Sequence, residues 1–275
     1  MALVDLDSVL GCLAVKQTSD TTWTAPNIEM DYRRIFGGQL LAQAIALGAA
    51  TSEGKTVKSL SVLFPREGSL DEPLVFDVEA TQSGRAFAAR RIHAAQNGKT
   101  FFVAQLSMHA EEDGIDLHDP PPDVGTPEAA TAEGSTMIPW ATRVVGGVDL
   151  QDRALAPANY SFWTKVDDRS LPDDPTTHQA LASYATDLNM IGTALRRVDG
   201  LSVADAHNSL HTAVTSHQMW FHRPFRIDEW CLITHHSPSI AGNRGFGHGE
   251  IFDAGGALVA SFAQESMIRP ISQET

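Results

Sequence analysis

Gly37-Gly38-Gln39-Leu40-Leu41-Ala42-Gln43-Ala44-Ile45-Ala46-Leu47-Gly48-Ala49-Ala50 is apolar nearly all round and crowded with small residues. A helix of that kind is buried, and its small side chains let a sheet come close. Residues 178–195 repeat the character through Leu181, Ala182, Tyr184, Ala185, Leu188, Met190, Ile191 and Ala194. After each helical stretch come strand-like segments broken by turn signals. These are Ser83-Gly84 and Asn97-Gly98 in the first half, Ala241-Gly242 and Gly255-Gly256 in the second. Single positions recur too: Phe64, Arg66, Asp71 and Glu72 reappear at a constant offset of 157 as Phe221, Arg223, Asp228 and Glu229. Matched residues and matched turns in one order point to duplication. The expected architecture is α+β, two tandem units in which a long central helix is wrapped by an antiparallel sheet.

Between the units, residues 113–137 hold Pro120-Pro121-Pro122 followed by Gly, Thr, Ala and Glu without apolar period, and read as a linker. The expected division is therefore a unit over 1–112, the linker over 113–137, and a second unit over 138–275. With 275 residues, 43% of them hydrophobic, the chain can bury a real core. Its formal charge of −14 argues against a nucleic-acid or anionic-membrane surface, since both need clustered positive charge. An anionic ligand would need local basic residues, for which Arg90, Arg91, Arg223 and Arg226 are the candidates. Cys12 and Cys231 are too few and too far apart for a disulfide framework or a thiolate metal site. Acidic residues near the start and the lack of a long apolar run suggest a cytoplasmic protein without membrane insertion.

Two polar residues sit where apolar ones are expected. Asp187 lies within the second helical pattern, and a buried carboxylate is costly unless something pairs with it. Placed near a helix start, its charge is favoured by the dipole; a capping or surface role is the plainer alternative. Gln264 interrupts an apolar stretch that begins at Leu258, and a side-chain amide can both donate to and accept from a water. A solvent-facing position would explain Gln264 equally well, as it would Gln105. There is no Gly-x-Ser-x-Gly elbow, P-loop, dinucleotide fingerprint or His-Glu-x-x-His. Eleven histidines invite a metal, but His235 and His236 are neighbours, and His217 and His222 are an odd number of residues apart. Each pair points to opposite faces of a regular strand, so no metal site is expected.

Several segments together resemble the type II acyl-CoA thioesterases of bacteria and peroxisomes. They are Arg34-Ile35-Phe36-Gly37-Gly38-Gln39, the run from Ser83 to Arg91 with Gln96-Asn97-Gly98-Lys99, Tyr184-Ala185-Thr186-Asp187-Leu188-Asn189, Met219-Trp220-Phe221-His222-Arg223-Pro224-Phe225, and Gln264-Glu265. The resemblance implies a double hotdog fold, hydrolysis of fatty acyl-CoA without a cofactor, and a homodimer or larger assembly. It also implies a water held by an Asp at the start of the second central helix, a Gln late in the second sheet, and a Thr or Ser hydroxyl before Met-Trp-Phe-His. The first two fall on Asp187 and Gln264, and the third falls on Val214, which can neither donate nor accept. Alternation puts Ser216 on the face of Val214, and Thr215 would reach it only through a bulge. Ser216 is the expected substitute and Thr215 the next. Gly37 and Gly38 are the expected close-approach point for the substrate, with Arg91 as a basic contact. Because of Val214, a non-catalytic acyl-CoA-binding module is the alternative.

Overall fold

A computed structural model describes residues 4–30, 34–134, 137–167, 171–206 and 208–271. A short helix α1 (Leu6–Gly11) precedes β1 (Lys16–Gln17) and β2 (Thr22–Ala25), and the apolar stretch quoted above then forms α2 (Gly37–Ala50). Four strands follow: β3 (Thr56–Leu63), β4 (Leu74–Ser83), β5 (Phe87–Gln96) and β6 (Lys99–His109). The second part of the chain supplies β7 (Thr131–Glu133), β8 (Ala141–Val144) and β9 (Asn159–Lys165), then helices α3 (Pro175–Thr186) and α4 (Met190–Leu195). It ends with β10 (Leu210–Phe221), β11 (Cys231–Ala241), β12 (Arg244–Phe252) and β13 (Leu258–Pro270).

Among the described residues these strands form one 13-stranded sheet, in the order β1-β2-β4-β5-β6-β3-β10-β13-β12-β11-β9-β8-β7. Every adjacent pair is antiparallel, and β3 meets β10 at the centre with Leu63 opposite Ser216 and Ser59 opposite Trp220. The helices cover one face. Gly48 of α2 lies against Leu106 and Val57, and Ser183 of α3 touches Met219. Period-two alternation follows from that one-sided burial. β13 buries Phe262, Gln264, Ser266 and Ile268 and turns the residues between them outward.

Two glutamines on the buried side of α2 need partners and find them in the segment before it. Gln39 Oε1 accepts from the Ile28 N–H (3.1 Å), and Gln43 Nε2 donates to Pro26 O (2.8 Å) and Cys12 O (3.2 Å). The segment is thereby pinned along the helix, each buried amide meeting its hydrogen-bonding need. Strand β12 alternates Gly245, Gly247 and Gly249 on its buried face, where a Cβ at 247 would stand 2.0 Å from Met190 Sδ. Those glycines let α4 lie close to the sheet.

Two expectations are corrected. The helical pattern over 178–195 is not continuous, because Asn189 adopts φ +71° and ends α3 before α4 begins. Asn is among the few non-glycine residues that accept a left-handed backbone. The segment 113–137 is also not featureless, since it holds a 3-10 turn at Pro127–Ala129 and strand β7, which pairs with β8. Asp116 from the same segment forms an ion pair with Arg223. Of the two neighbouring arginines of β5, Arg91 is exposed and paired with Glu79 (3.3 Å), and Arg90 is buried. Arg90 donates to the Thr51 carbonyl and, through Nε, to Thr51 Oγ1 (3.2 Å), placing a cation at the C-terminal end of α2. That is where the helix dipole favours positive charge.

Candidate active site

The N-terminus of α2 and the C-terminus of α3 meet. The residue before α2 is Phe36, whose side chain makes no capping hydrogen bond, so the first N–H groups of α2 need acceptors from elsewhere. Asp187 is the residue that ends α3, and its carboxylate lies over Gly37 and Gly38. The sequence expectation of Asp187 at a helix start is thus corrected. It stands at the end of its own helix, where the dipole is unfavourable, and draws its stabilisation from the start of α2. Asp187 is 7% exposed and its Oδ1 has no hydrogen-bond partner among the described residues. Burial pushes its pKa up to about 7, against the pull of the Gly38 N–H and the Arg34 guanidinium toward the charged form.

The approach of the two helices depends on the glycine pair. A Cβ at 38 would stand 2.5 Å from Tyr184 O and 2.4 Å from the Phe36 ring, which itself packs edge-on against Tyr184 at 4.9 Å. A Cβ at 37 would instead meet Asp187 Oδ2 at 2.7 Å, the movable end of a side chain. The two substitutions should therefore separate. Gly38→Ala is expected to lower stability by about 2 kcal/mol through backbone displacement. Gly37→Ala should leave the melting temperature nearly unchanged and cut turnover at least about tenfold by moving the carboxylate. Thermal melts and steady-state rates on both variants check this, and equal melting losses would sink it.

Asp187 opens onto a cavity of about 700 Å³ walled by both parts of the chain, including Arg34, Gly37, Phe64, Tyr160, Asn189 and Val214. Thr215 also lines it, and Ser216 does not. The register of β10 against β13 slips between Val214, opposite Ser266, and Ser216, opposite Glu265. Thr215 is the unpaired residue of that bulge. Ser216 therefore faces outward with Glu265, the reverse of what unbroken alternation gives, and His217, Met219 and Phe221 take the buried side. The Thr215 hydroxyl donates to Glu265 O (3.0 Å).

Gln264 is fully buried and is not among the residues that line the cavity. The structure brings Asp187, Gly37 and Gly38 together directly, and joins Gln264 to them through His217, which the sequence offered only as a metal ligand to be set aside. His217 Nδ1 lies 3.3 Å from Gln264 Oε1, and its Nε2 lies 3.2 Å from the hydroxyl of Thr186, next to Asp187. Burial lowers the pKa of His217 to about 4, so the ring is neutral at pH 7 and carries one proton between Nδ1, which faces Gln264 Oε1, and Nε2, which faces Thr186 Oγ1. The Gln264 Nε2 in turn donates to Ser266 Oγ at 3.1 Å. A signal for His217 was present: it shares a face with Met219 and Phe221, and a polar ring in an apolar stripe needs a partner.

Residues 26–109 match the profile of the acyl-CoA thioesterase N-terminal domain, and residues 112–268 match that of the C-terminal domain. The chain belongs to the acyl-CoA thioesterase family. Within that family it is 27% identical to acyl-CoA thioesterase 2 of Haemophilus influenzae over 283 residues, covering 96% of this chain and 98% of the relative. It is 30% identical to human acyl-coenzyme A thioesterase 8, covering 86% and 81% of the two chains. Among solved thioesterases, the type II acyl-CoA thioesterase of Mycobacterium marinum superposes with a TM-score of 0.82 at 32% identity, covering 96% of this chain and 99% of that one. A hotdog-fold protein of Alicyclobacillus acidocaldarius, at 15% identity and a TM-score of 0.77, shares the fold.

Proposed function

We propose that the protein is an acyl-CoA thioesterase that hydrolyses fatty acyl-CoA by direct attack of water. The observation that carries this reading is Asp187, a buried carboxylate with a free Oδ1, facing a cavity large enough for an acyl chain. With a pKa near 7 it is poised to take a proton at neutral pH. Asp187 accepts one proton of the water as the oxygen bonds to the thioester carbonyl carbon. The tetrahedral intermediate then collapses, the C–S bond breaks, and the proton passes to the departing thiolate. Free acid and CoA thiol result. With the Gly38 N–H held by Asp187, the Gly37 N–H at the start of α2 is the donor left for the developing oxyanion, and Gln264 braces the water site from the β13 side through His217 and Thr186. No covalent acyl-enzyme is required.

In this reading the fold is a double hotdog of units 1–112 and 138–275, joined by 113–137. The strand order supports it. β2-β4-β5-β6-β3 beside α2 has its counterpart in β9-β11-β12-β13-β10 beside α3, arranged in mirror order about the β3/β10 contact. The hydrolytic site draws on both units. Assembly as a homodimer or larger oligomer belongs to the same proposal and is read by light scattering.

Thiol release from a panel of acyl-CoAs of increasing chain length tests the function. Multiple turnovers on at least one member are expected. Stoichiometric binding without thiol release would leave an acyl-CoA-binding protein instead.

A further inference from the structure

The cavity that Asp187 opens onto is also lined by Val214, the last residue of β10 before the bulge. Its registered partner across the ladder is Ser266 of β13. Side chains of such a pair stand on one face with Cβ atoms about 5 Å apart, so a hydroxyl on either reaches nearly the same point. Ser266 is 2% exposed, and its Oγ accepts from Gln264 Nε2 at 3.1 Å, two residues back on the same face. A serine hydroxyl can accept and also donate, and among the described residues no acceptor takes the Ser266 proton. The other end of the Gln264 amide is held by His217. With both ends gripped the amide plane is fixed, and the second Nε2–H is left as its uncommitted donor. The two β10 hydroxyls that follow Val214 do not serve here: Thr215 donates to Glu265 O, and Ser216 faces outward.

We infer that Ser266 is a positioning residue of the hydrolytic site, supplying from β13 the hydroxyl that β10 lacks at Val214 and fixing the Gln264 amide in the chain that runs through His217 and Thr186 to the water site at Asp187. The inference rests on the reading of Asp187 and Gln264 as the groups that govern the attacking water. It assigns the role across one strand pair, to the position facing Val214.

The test is steady-state hydrolysis of the best acyl-CoA in the panel by four variants of the full chain. Ser266→Ala should lower kcat by about ten- to a hundredfold, the loss expected for one buried hydrogen bond to the reacting assembly. KM and melting temperature should change little. Adding Val214→Thr to Ser266→Ala should restore kcat by about tenfold or more, because a hydroxyl then returns to the Gln264 amide from the opposite strand; a merely structural loss gives no such rescue. A kcat for Ser266→Ala within about threefold of the parent, or a double variant no faster than the single one, overturns the assignment. Should Ser266→Ala not fold, Ser266→Cys replaces it under the same thresholds. Asp187→Asn and Gln264→Leu, run alongside, separate the two levels. If they are inactive while Ser266→Ala is normal, only the role of Ser266 falls. If both keep parental turnover, the assignment of Asp187 and Gln264 to the water falls with it.

Discussion

Asp187→Asn is expected to lose about two to four powers of ten in turnover while acyl-CoA affinity stays close to normal, the range for removing a general base. Asparagine keeps the shape and can still accept from the Gly38 N–H, but it cannot take a proton. The pH profile of kcat should carry the same signature. In the parent, activity rises through about pH 7 as Asp187 ionises and then levels, whereas the residual activity of the variant lacks that limb. Stability moves the opposite way. A carboxyl whose folded pKa lies near 7, above its ordinary 3.8, holds a proton in the native state that the unfolded chain has already released. Its contribution is therefore intact below pH 3.8 and is lost as pH rises toward 7. At pH 8 the Asn variant should be more stable than the parent, by a few kcal/mol at most. Equilibrium denaturation with a parallel rate profile checks both halves, and a variant with kcat within tenfold of the parent defeats the assignment.

The second large effect is acid lability. His217 and His235 are both buried, and burial lowers their pKa values to about 4 and about 3. Below pH 6.5 the unfolded chain takes up protons that these folded rings refuse, so stability falls as pH falls. Each histidine costs about 1.4 kcal/mol per pH unit until its folded pKa is reached. Two of them from pH 6.5 to 4 cost on the order of 5–7 kcal/mol, comparable with the whole stability of a domain. Asp187 works against this over the same window with one proton to their two. The net loss from pH 6.5 to 4 is then about half that sum, so acid unfolding is expected at about pH 4 or below. His235 lies 5.8 Å from Phe162 and 5.2 Å from Phe262 between ring centroids, so His235→Phe preserves the shape and should move the acid midpoint lower. Circular dichroism against pH reads the transition, and constant stability down to pH 4 would refute the argument.

Much of the fold was open to reading because it depends on gross pattern. The stretch over 37–50 is apolar all round and is buried as such, and the turn dipeptides separate the strands they were expected to separate. Asp187 and Gln264 stood out because each is polar where burial is cheap only for carbon. Details set by one residue's backbone were not legible. A left-handed Asn189 breaks a helix that propensity would continue, and one unpaired residue at 215 reverses the face of Ser216. Nor could spacing show that Asp187 is stabilised by a helix from the other end of the chain, since that depends on how α2 and α3 pack. Charge counting likewise could not tell Arg90, a helix cap, from Arg91, a solvated surface residue.

The two long helices treat their beginnings differently. α3 seals its own, with Asp174 accepting from the Thr177 backbone and hydroxyl. The far end of α2 is likewise stoppered by Arg90. Phe36 has nothing to offer, so the start of α2 alone borrows its acceptor, and the lender is more than a hundred residues away. A polypeptide with two comparable helices is thus left with one electropositive tip that another part of the chain must cover. Cut at the intervening segment, the N-terminal fragment would keep that tip and lose the acid that faces it. Activity should then return only when the two fragments are mixed.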